Sequence, residues 1–173
     1  MAELFTHVLV GFILATVASW RWEWITTPMV TVAMVGAALP DLKRVDLVVP
    51  VETVEAVVGL SFSWTPLHRA GGTAVLIAVG AFLVPKRLRR GVALLLVIGA
   101  TSHYLLDFAL YTPSGWSNTM LWPLWDALVP VGGVYLSSDQ WPAVVAVVVA
   151  GGVWVVDQKL DPSGDSKPAD APR

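Results

Sequence analysis

The 173-residue chain is too apolar to be an ordinary soluble protein. Hydrophobic residues make up 55% of it and charged residues 14%, with a mean hydropathy of +0.67, whereas soluble domains carry about 25% charged residues. The formal net charge of −2 argues against a nucleic-acid partner, and the lack of cysteine excludes disulfides and thiolate metal sites. These features predict an integral membrane protein with one domain.

Five apolar stretches follow one another along the chain and predict an all-α bundle of about five transmembrane helices. Inside a bilayer the backbone must satisfy its own hydrogen bonds, so each stretch is expected to be helical. The first stretch lacks a positive leading region and a cleavage site, so we expect it to be a retained helix. The stretches cover roughly residues 4–20, 26–40, 70–85, 91–111 and 141–156.

Basic residues set the predicted orientation of these helices. A cluster between the third and fourth stretches runs from Lys86 to Arg90, and the positive-inside rule puts this loop in the cytoplasm. Counting crossings from that loop places the N-terminus outside the plasma membrane and the C-terminus in the cytoplasm. Lys43, Arg44 and Arg69 then lie outside, against the trend.

Three other segments are predicted to lie outside the spanning helices. Residues 45–60 mix apolar and acidic residues and predict an amphipathic helix of about ten residues from Val51, lying in the membrane interface. Residues 112–140 are rich in proline and glycine and predict a re-entrant or interfacial loop over the outer face. The membrane domain is expected to cover residues 1–157, and residues 158–173 a disordered polar tail.

All three histidines of the chain and two aspartates fall at one predicted edge of the bilayer. His103 and Asp107 are four residues apart, so they share one helix face. Ionisable residues inside a membrane are functional candidates, and imidazole with carboxylate suits zinc, manganese or iron. The pattern predicts one site for a divalent metal, with zinc or manganese expected. Its candidate ligands are His7, Asp41, His68, His103 and Asp107.

Each candidate ligand also has a purely structural explanation. His103 and Asp107 could form a hydrogen-bonded pair that only joins helices. His7 could be an interfacial histidine, and Asp41 could be an ordinary turn residue at the end of a helix. His68 could anchor the chain in the interface or help hold a phosphate at a helix N-terminus. Their joint placement on one side of the membrane favours a common site.

The order of these residues resembles a known family. His7 is followed by Gly36-Ala37-Ala38-Leu39-Pro40-Asp41, by His68-Arg69, by Ser102-His103-Tyr104-Leu105-Leu106-Asp107 and by Trp122-Pro123. Over about residues 1–125 this order is similar to the family of membrane-bound metal-dependent hydrolases, also described as LexA-binding, inner-membrane-associated hydrolases. The resemblance implies a small helical membrane protein with a divalent-metal site and hydrolytic activity.

The chain departs from that family's pattern at two places. The family has a second aspartate two residues after the one that matches Asp41, and this chain has Lys43 there. The family also has a Gly-x-Thr-His-Ser run after the His-Arg pair, where this chain reads Ala70-Gly71-Gly72-Thr73-Ala74. Because two polar groups are missing, we expect one metal ion or a decayed site rather than a two-metal site.

The preferred hypothesis is a single-metal membrane hydrolase. The ion would activate water and polarise the attacked group, and Arg69 would stabilise the negative charge that develops. Asp126, or Asp107 if it is not a ligand, could act as the general base. Because the site lies at headgroup depth, the expected substrate is an ester or phosphoester of a membrane lipid or of a small molecule.

Two other functions fit parts of the pattern. In the first, the protein is not an enzyme and the polar cluster is a structural clamp that fixes the helices, which the missing polar groups favour. In the second, the His–Asp pair serves a transporter or proton relay. The cytoplasmic half of the predicted helices is nearly all apolar, so no polar path crosses the bilayer. The metal content of the purified protein distinguishes the hydrolase from the clamp.

Overall fold

The computed structural model describes residues 3–116, 120–125, 127–128 and 130–160. Their regular secondary structure is helical, with two isolated β-bridges, Leu110 with Tyr135 and Trp116 with Pro130. The all-α prediction is therefore confirmed for this part of the chain. The α-helices are α1 (Glu3–Ser19), α2 (Thr27–Ala38), α3 (Val51–Val58), α4 (Ala70–Leu83), α5 (Arg89–Ala109) and α6 (Trp141–Leu160), and 3-10 helices cover Leu39–Leu47 and Thr65–His68.

The five predicted apolar stretches correspond to α1, α2, α4, α5 and α6. Among the described residues, two helices are long and apolar enough to cross a membrane, α5 with 21 residues and α6 with 20. At 1.5 Å per residue α5 is about 31 Å long, close to the ~30 Å hydrocarbon core of a bilayer, whereas the 12 residues of α2 span only about 18 Å. The number of five spans therefore stays a prediction.

The segments outside the long helices can also be compared with their predictions. The short helix predicted from Val51 is present as α3, and none of its residues is buried. It ends at Gly59, whose φ of +72° is a left-handed conformation that favours glycine. At the other end of the chain α6 continues to Leu160, so the first three residues of the predicted tail are helical. Residues 161–173 lie outside the described residues.

Two glycines allow α2 and α5 to cross in close contact. A Cβ atom on Gly99 would lie 2.1 Å from the carbonyl oxygen of Ala33, and one on Gly36 would lie 2.5 Å from that of Leu96. Cβ atoms do not come this close to backbone, so a side chain at either position would push the helices apart. The crossing brings His103, one turn beyond Gly99, against the C-terminal end of α2.

The outward surfaces of α4 and α6 are strongly apolar. Val79 and Phe82 on α4 and Val148 and Trp154 on α6 are all more than half exposed. Large contiguous apolar surfaces of this kind mark contact with a membrane or with another protein. The enclosed core, in contrast, lies between α1, α2 and α5 and consists of alanine and larger aliphatic side chains. It comprises Ala15, Ile25, Val30, Ala33 and Leu95.

The long connection between α5 and α6, residues 110–140, packs over the ends of α4 and α5. The backbone N–H groups of Ala70 and Gly71, at the start of α4, donate hydrogen bonds to the carbonyls of Met120 and Trp122. At the end of α5, the N–H of Gly132 donates to the carbonyl of Phe108 at 2.7 Å. These bonds satisfy backbone groups that helix ends leave without partners. The described part of the connection therefore packs against the start of α4 and the end of α5, and its predicted position over the outer face of the membrane stays a prediction.

Candidate metal centre

The position of His103 follows from the proline that ends α2. In the 3-10 helix after α2, the carbonyl of Ala37 would accept a bond from residue 40, but Pro40 has no N–H. The Nδ1–H of His103, on α5, donates to that carbonyl instead, at 2.8 Å. His103 is completely buried. The bond fixes the orientation of its ring and leaves Nε2 pointing away from α2.

The ring of His68 is held in the same way. It lies at the end of the second 3-10 helix, Thr65–His68, and its Nδ1–H donates to the carbonyl of Pro40 at 2.9 Å. The hydroxyl of Tyr104 donates to the carbonyl of His68 at 3.3 Å and lies 2.7 Å from the hydroxyl of Thr73. Both the ring and the backbone of His68 are therefore fixed by neighbouring elements, which is the usual support of a metal-binding histidine.

His7 completes a group of three imidazoles. It lies in the second turn of α1 and is buried, and its ring stacks on that of His103 with centroids 3.8 Å apart and planes at 22°. Its Nδ1 forms no hydrogen bond with the described residues. The helix has almost no amphipathic pattern, so the sequence of α1 gives no hint of this ring contact.

Asp107 lies at the centre of the three imidazoles. Its Oδ1 lies 3.4 Å from Nε2 of His7, and its Oδ2 lies 3.0 Å from Nε2 of His68 and 3.3 Å from Nε2 of His103. Nε2 of His103 forms no hydrogen bond despite this proximity. All four side chains are at least nine-tenths enclosed. Three ring nitrogens from three segments thus converge on one buried carboxylate.

The positions of the hydrogens on these rings favour a cation between the imidazoles and Asp107. A carbonyl can only accept a hydrogen bond, so the Nδ1 atoms of His68 and His103 carry hydrogen. If both rings are neutral, their Nε2 lone pairs point at a carboxylate, which is repulsive. If both are doubly protonated, two buried positive charges face one negative charge, which is costly. One of these charged rings would be His103, which stacks on the ring of His7. A cation between Nε2 and the carboxylate removes both difficulties, so the residues fit a metal ion.

The separations within the cluster also fit a metal ion. Tetrahedral bonds of about 2.0–2.1 Å from zinc to nitrogen or oxygen place neighbouring ligand atoms about 3.3 Å apart. The contacts of His7 and His103 with Asp107, at 3.4 and 3.3 Å, agree with that spacing. They are longer than a typical charge-assisted hydrogen bond of about 2.7–2.9 Å. The 3.0 Å contact of His68 suits either interaction.

Asp41 lies beside this group. Asp41, His68 and His103 form a second set whose potential ligand atoms all lie within 4.8 Å of one another, as do those of His7, His103 and Asp107. His103 belongs to both sets, but its Nδ1 is engaged and one Nε2 can bind only one ion. The Oδ2 of Asp41 also lies 3.0 Å from Nε of Arg44. The two sets therefore describe one centre, the His/Asp cluster (His7, Asp41, His68, His103 and Asp107), in which Asp41 also has Arg44 as an ion-pair partner.

An open cavity of about 330 Å³ reaches the His/Asp cluster from the surface. A volume of this order is typical of small-molecule sites. Four of the five predicted ligands, His7, Asp41, His68 and Asp107, line it, and two basic residues, Lys43 and Arg44, also line it. Its remaining described walls come from the end of α5 and from the long connection: Leu110, Thr112, Ser114, Trp116, Met120 and Val131.

The structure describes one of the two predicted catalytic residues, Arg69, but not the other, Asp126. The guanidinium of Arg69 lies over the ring of Trp122, 5.9 Å from its centroid, and Arg69 is not among the residues that line the cavity. Asp126 lies outside the described residues. The structure thus brings together the five predicted ligands and leaves Arg69 beside the cluster, one residue after His68.

Several groups that shape the site were not singled out in the sequence. The i,i+3 spacing of Asp41 and Arg44 was a usable signal for their ion pair. The hydroxyls of Tyr104 and Thr73, which hold His68, carried no such signal, because they meet across 31 residues of chain. The carbonyls of Ala37 and Pro40 could not have been found from side-chain patterns at all.

A family model described as "YdjM inner membrane protein" matches residues 1–163. The chain belongs to this family. The match covers α1 to α6 and all five residues of the His/Asp cluster, and it confirms the resemblance that the order of motifs indicated. Membership of the YdjM inner membrane protein family, together with the two helices long enough to span, supports a location in a membrane. Neither the curated proteins nor the solved structures yield a match to the chain.

Proposed function

We propose that this YdjM-family protein is a metal-dependent membrane hydrolase with a single divalent ion, zinc or manganese, in the His/Asp cluster. The observation that carries the proposal is the convergence of three imidazole Nε2 atoms on Asp107 within 3.4 Å, in a buried site that opens into a cavity. Nitrogen and carboxylate ligands without thiolates suit these two metals.

Each residue of the cluster has a role in this proposal. His7, His68, His103 and Asp107 hold the ion, and the carbonyls of Ala37 and Pro40 orient two of the rings. A divalent ion held there supplies Lewis acidity, which activates a water molecule and polarises the group under attack. Asp41 is either a further ligand or the partner that orients Arg44 along the cavity wall.

The proposed roles of the two predicted catalytic residues rest on chain position. Arg69 follows His68 directly, and its guanidinium over Trp122 is half-buried at the border of the long connection. From there it could stabilise negative charge that develops on a phosphoryl or acyl oxygen. Asp126, in the same connection, is the proposed general base.

The proposed topology has five spans, with the N-terminus outside and the C-terminus in the cytoplasm. Arg89 and Arg90 begin α5, whereas His103 and Asp107 lie near its other end. With the basic end in the cytoplasm, the cluster lies towards the outer face, at headgroup depth. An ester or phosphoester of a membrane lipid, or of a small molecule at the surface, is then the proposed substrate.

A structural clamp is the second candidate function. The cluster already links α1, α2, α5 and the 3-10 helix Thr65–His68 through hydrogen bonds and contacts. The 3.0 Å contact between His68 and Asp107 is short enough for a charge-assisted hydrogen bond if the imidazole is protonated. In that case the cluster stabilises the bundle without metal, and no hydrolysis accompanies it.

Hydrolysis assays separate these two functions. Protein purified in mild detergent would be treated with a chelator and then given zinc or manganese, and a panel of lipid esters and phosphoesters in micelles would be tested at each stage. The hydrolase requires turnover that disappears on chelation, returns with metal and is absent from Asp107→Asn. Turnover that persists in Asp107→Asn would instead point to a contaminating enzyme and contradict the proposal.

A further inference from the structure

Lys43 is a cation that lines the cavity above the His/Asp cluster without an ion pair or hydrogen bond to any other described residue. It lies two residues after Asp41 in the 3-10 helix Leu39–Leu47 and is half-buried. Its neighbour Arg44, by comparison, pairs with Asp41 at 3.0 Å. A half-buried ammonium facing a polar cavity, rather than bulk water, is a suitable partner for a bound anion.

We propose that Lys43 and the metal held by the His/Asp cluster together bind the phosphate group of a phosphomonoester dianion. This inference rests on the proposed function and deepens it by assigning the substrate class. A phosphate bound in the cavity would meet both the cluster and Lys43, because residues of the cluster and Lys43 line the same cavity. The ammonium would donate hydrogen bonds to a phosphate oxygen that does not coordinate the metal.

The charges of the described lining residues favour a dianion over a monoanion. The charges of Asp41 and Arg44 cancel within their ion pair. A divalent ion next to the single charge of Asp107 leaves about one positive charge, and Lys43 adds another, since the three imidazoles are neutral when they bind metal. A phosphomonoester carries about −1.5 to −2 at pH 7. A phosphodiester, with one negative charge, would leave the cavity positive.

The rest of the cavity wall suits the organic part of such a substrate. Leu110, Met120 and Val131 offer apolar surface, and Trp116 lies exposed on the long connection. A lipid phosphomonoester such as phosphatidic acid and a water-soluble phosphomonoester share the phosphate that Lys43 would recognise. The two sources differ only in what lies beyond that group.

Phosphate binding tests the assignment independently of turnover. Inorganic phosphate would be titrated by calorimetry into the metal-loaded protein in detergent, for the parent, Lys43→Met and Lys43→Arg. Loss of a hydrogen bond to a charged group should weaken binding by about tenfold to a hundredfold in Lys43→Met, with partial recovery in Lys43→Arg. Lys86→Met, on an exposed loop at the other end of α5, is the matched control and should bind as the parent does.

The outcomes distinguish this inference from the proposed function. Metal content is measured in the same samples, so a parent protein without metal contradicts the proposed function. If the metal-loaded parent and Lys43→Met bind phosphate equally well, Lys43 has no role in binding and the proposed function is unaffected. If the metal-loaded parent binds no phosphate, the phosphomonoester assignment is overturned. If phosphatidic acid in mixed micelles competes with inorganic phosphate and glycerol 3-phosphate does not, the substrate is a lipid. If only glycerol 3-phosphate competes, the substrate is water-soluble. Stronger competition by phosphatidylglycerol than by either monoester would overturn the dianion assignment.

Discussion

Replacing Gly99 by alanine should open the crossing of α2 and α5 and disturb the metal site. The new Cβ would lie 2.1 Å from the carbonyl oxygen of Ala33 and 2.5 Å from the backbone nitrogen of Ala37. Reaching the 3.4 Å of ordinary contact requires the helices to separate by about 1.3 Å. Overpacking of this kind costs about 1–3 kcal/mol, partly offset by about 1 kcal/mol from the higher helix propensity of alanine. The protein should be destabilised by up to about 2 kcal/mol.

The same displacement reaches the His/Asp cluster through one hydrogen bond. The bond from Nδ1 of His103 to the carbonyl of Ala37 is 2.8 Å long, and a separation of about 1.3 Å would break it. Losing such a supporting bond typically lowers metal affinity by about 10- to 100-fold. Thermal unfolding and zinc titration in detergent would measure the two effects on one preparation.

The matched control is Gly151→Ala on α6. A Cβ at Gly151 would meet no atom within 4 Å, and this glycine is exposed. The control should therefore keep its metal affinity and be as stable as the parent or slightly more so. If Gly99→Ala matched Gly151→Ala in both stability and metal affinity, the close crossing would not be what positions His103.

Three further changes test other parts of the account. Asp107→Asn should abolish the stabilisation by added metal, which is about 2.7 kcal/mol at a hundredfold excess over Kd, and should change the free energy of unfolding little in chelator. A structural clamp predicts instead that the variant loses about 3–5 kcal/mol of stability even in chelator. Arg69→Lys should retain metal but lose turnover, because lysine lacks the two-pronged geometry that fits phosphate; unchanged turnover would remove Arg69 from the mechanism. Reporter fusions at Lys86 and at Pro162 should both report cytoplasm, and an outside signal at Lys86 would invert the topology.

Hydropathy located the helices well but misjudged how far one of them extends. The apolar stretch 26–40 predicted a spanning helix, whereas α2 stops at Ala38 and continues as a 3-10 helix. The predicted stretch includes Leu39 and Pro40, but Pro40 has no N–H and cannot continue the α-helical hydrogen bonds. The ends of helices depend on individual hydrogen bonds, which a window of hydropathy averages out.

The sequence was sufficient to predict which residues form the His/Asp cluster, but not which groups hold their rings in place. Counting the predicted crossings was enough to expect the histidines and Asp107 at one edge of the bilayer, and the structure brings their side chains together. Which atoms orient the rings depends on contacts such as that of His103 with Ala37, across 66 residues. The course of the long connection was equally inaccessible, since its bonds to α4 and α5 involve backbone groups of any residue type.

The metal content of the purified protein shows whether the His/Asp cluster binds an ion. The protein would be purified in mild detergent without chelator and analysed for zinc and manganese alongside Asp107→Asn. We expect about one ion per chain in the parent, as for one His/Asp cluster, and almost none in the variant. A parent protein that binds neither metal, even after incubation with each, and whose unfolding temperature is unaffected by chelator would contradict a metal site in the cluster.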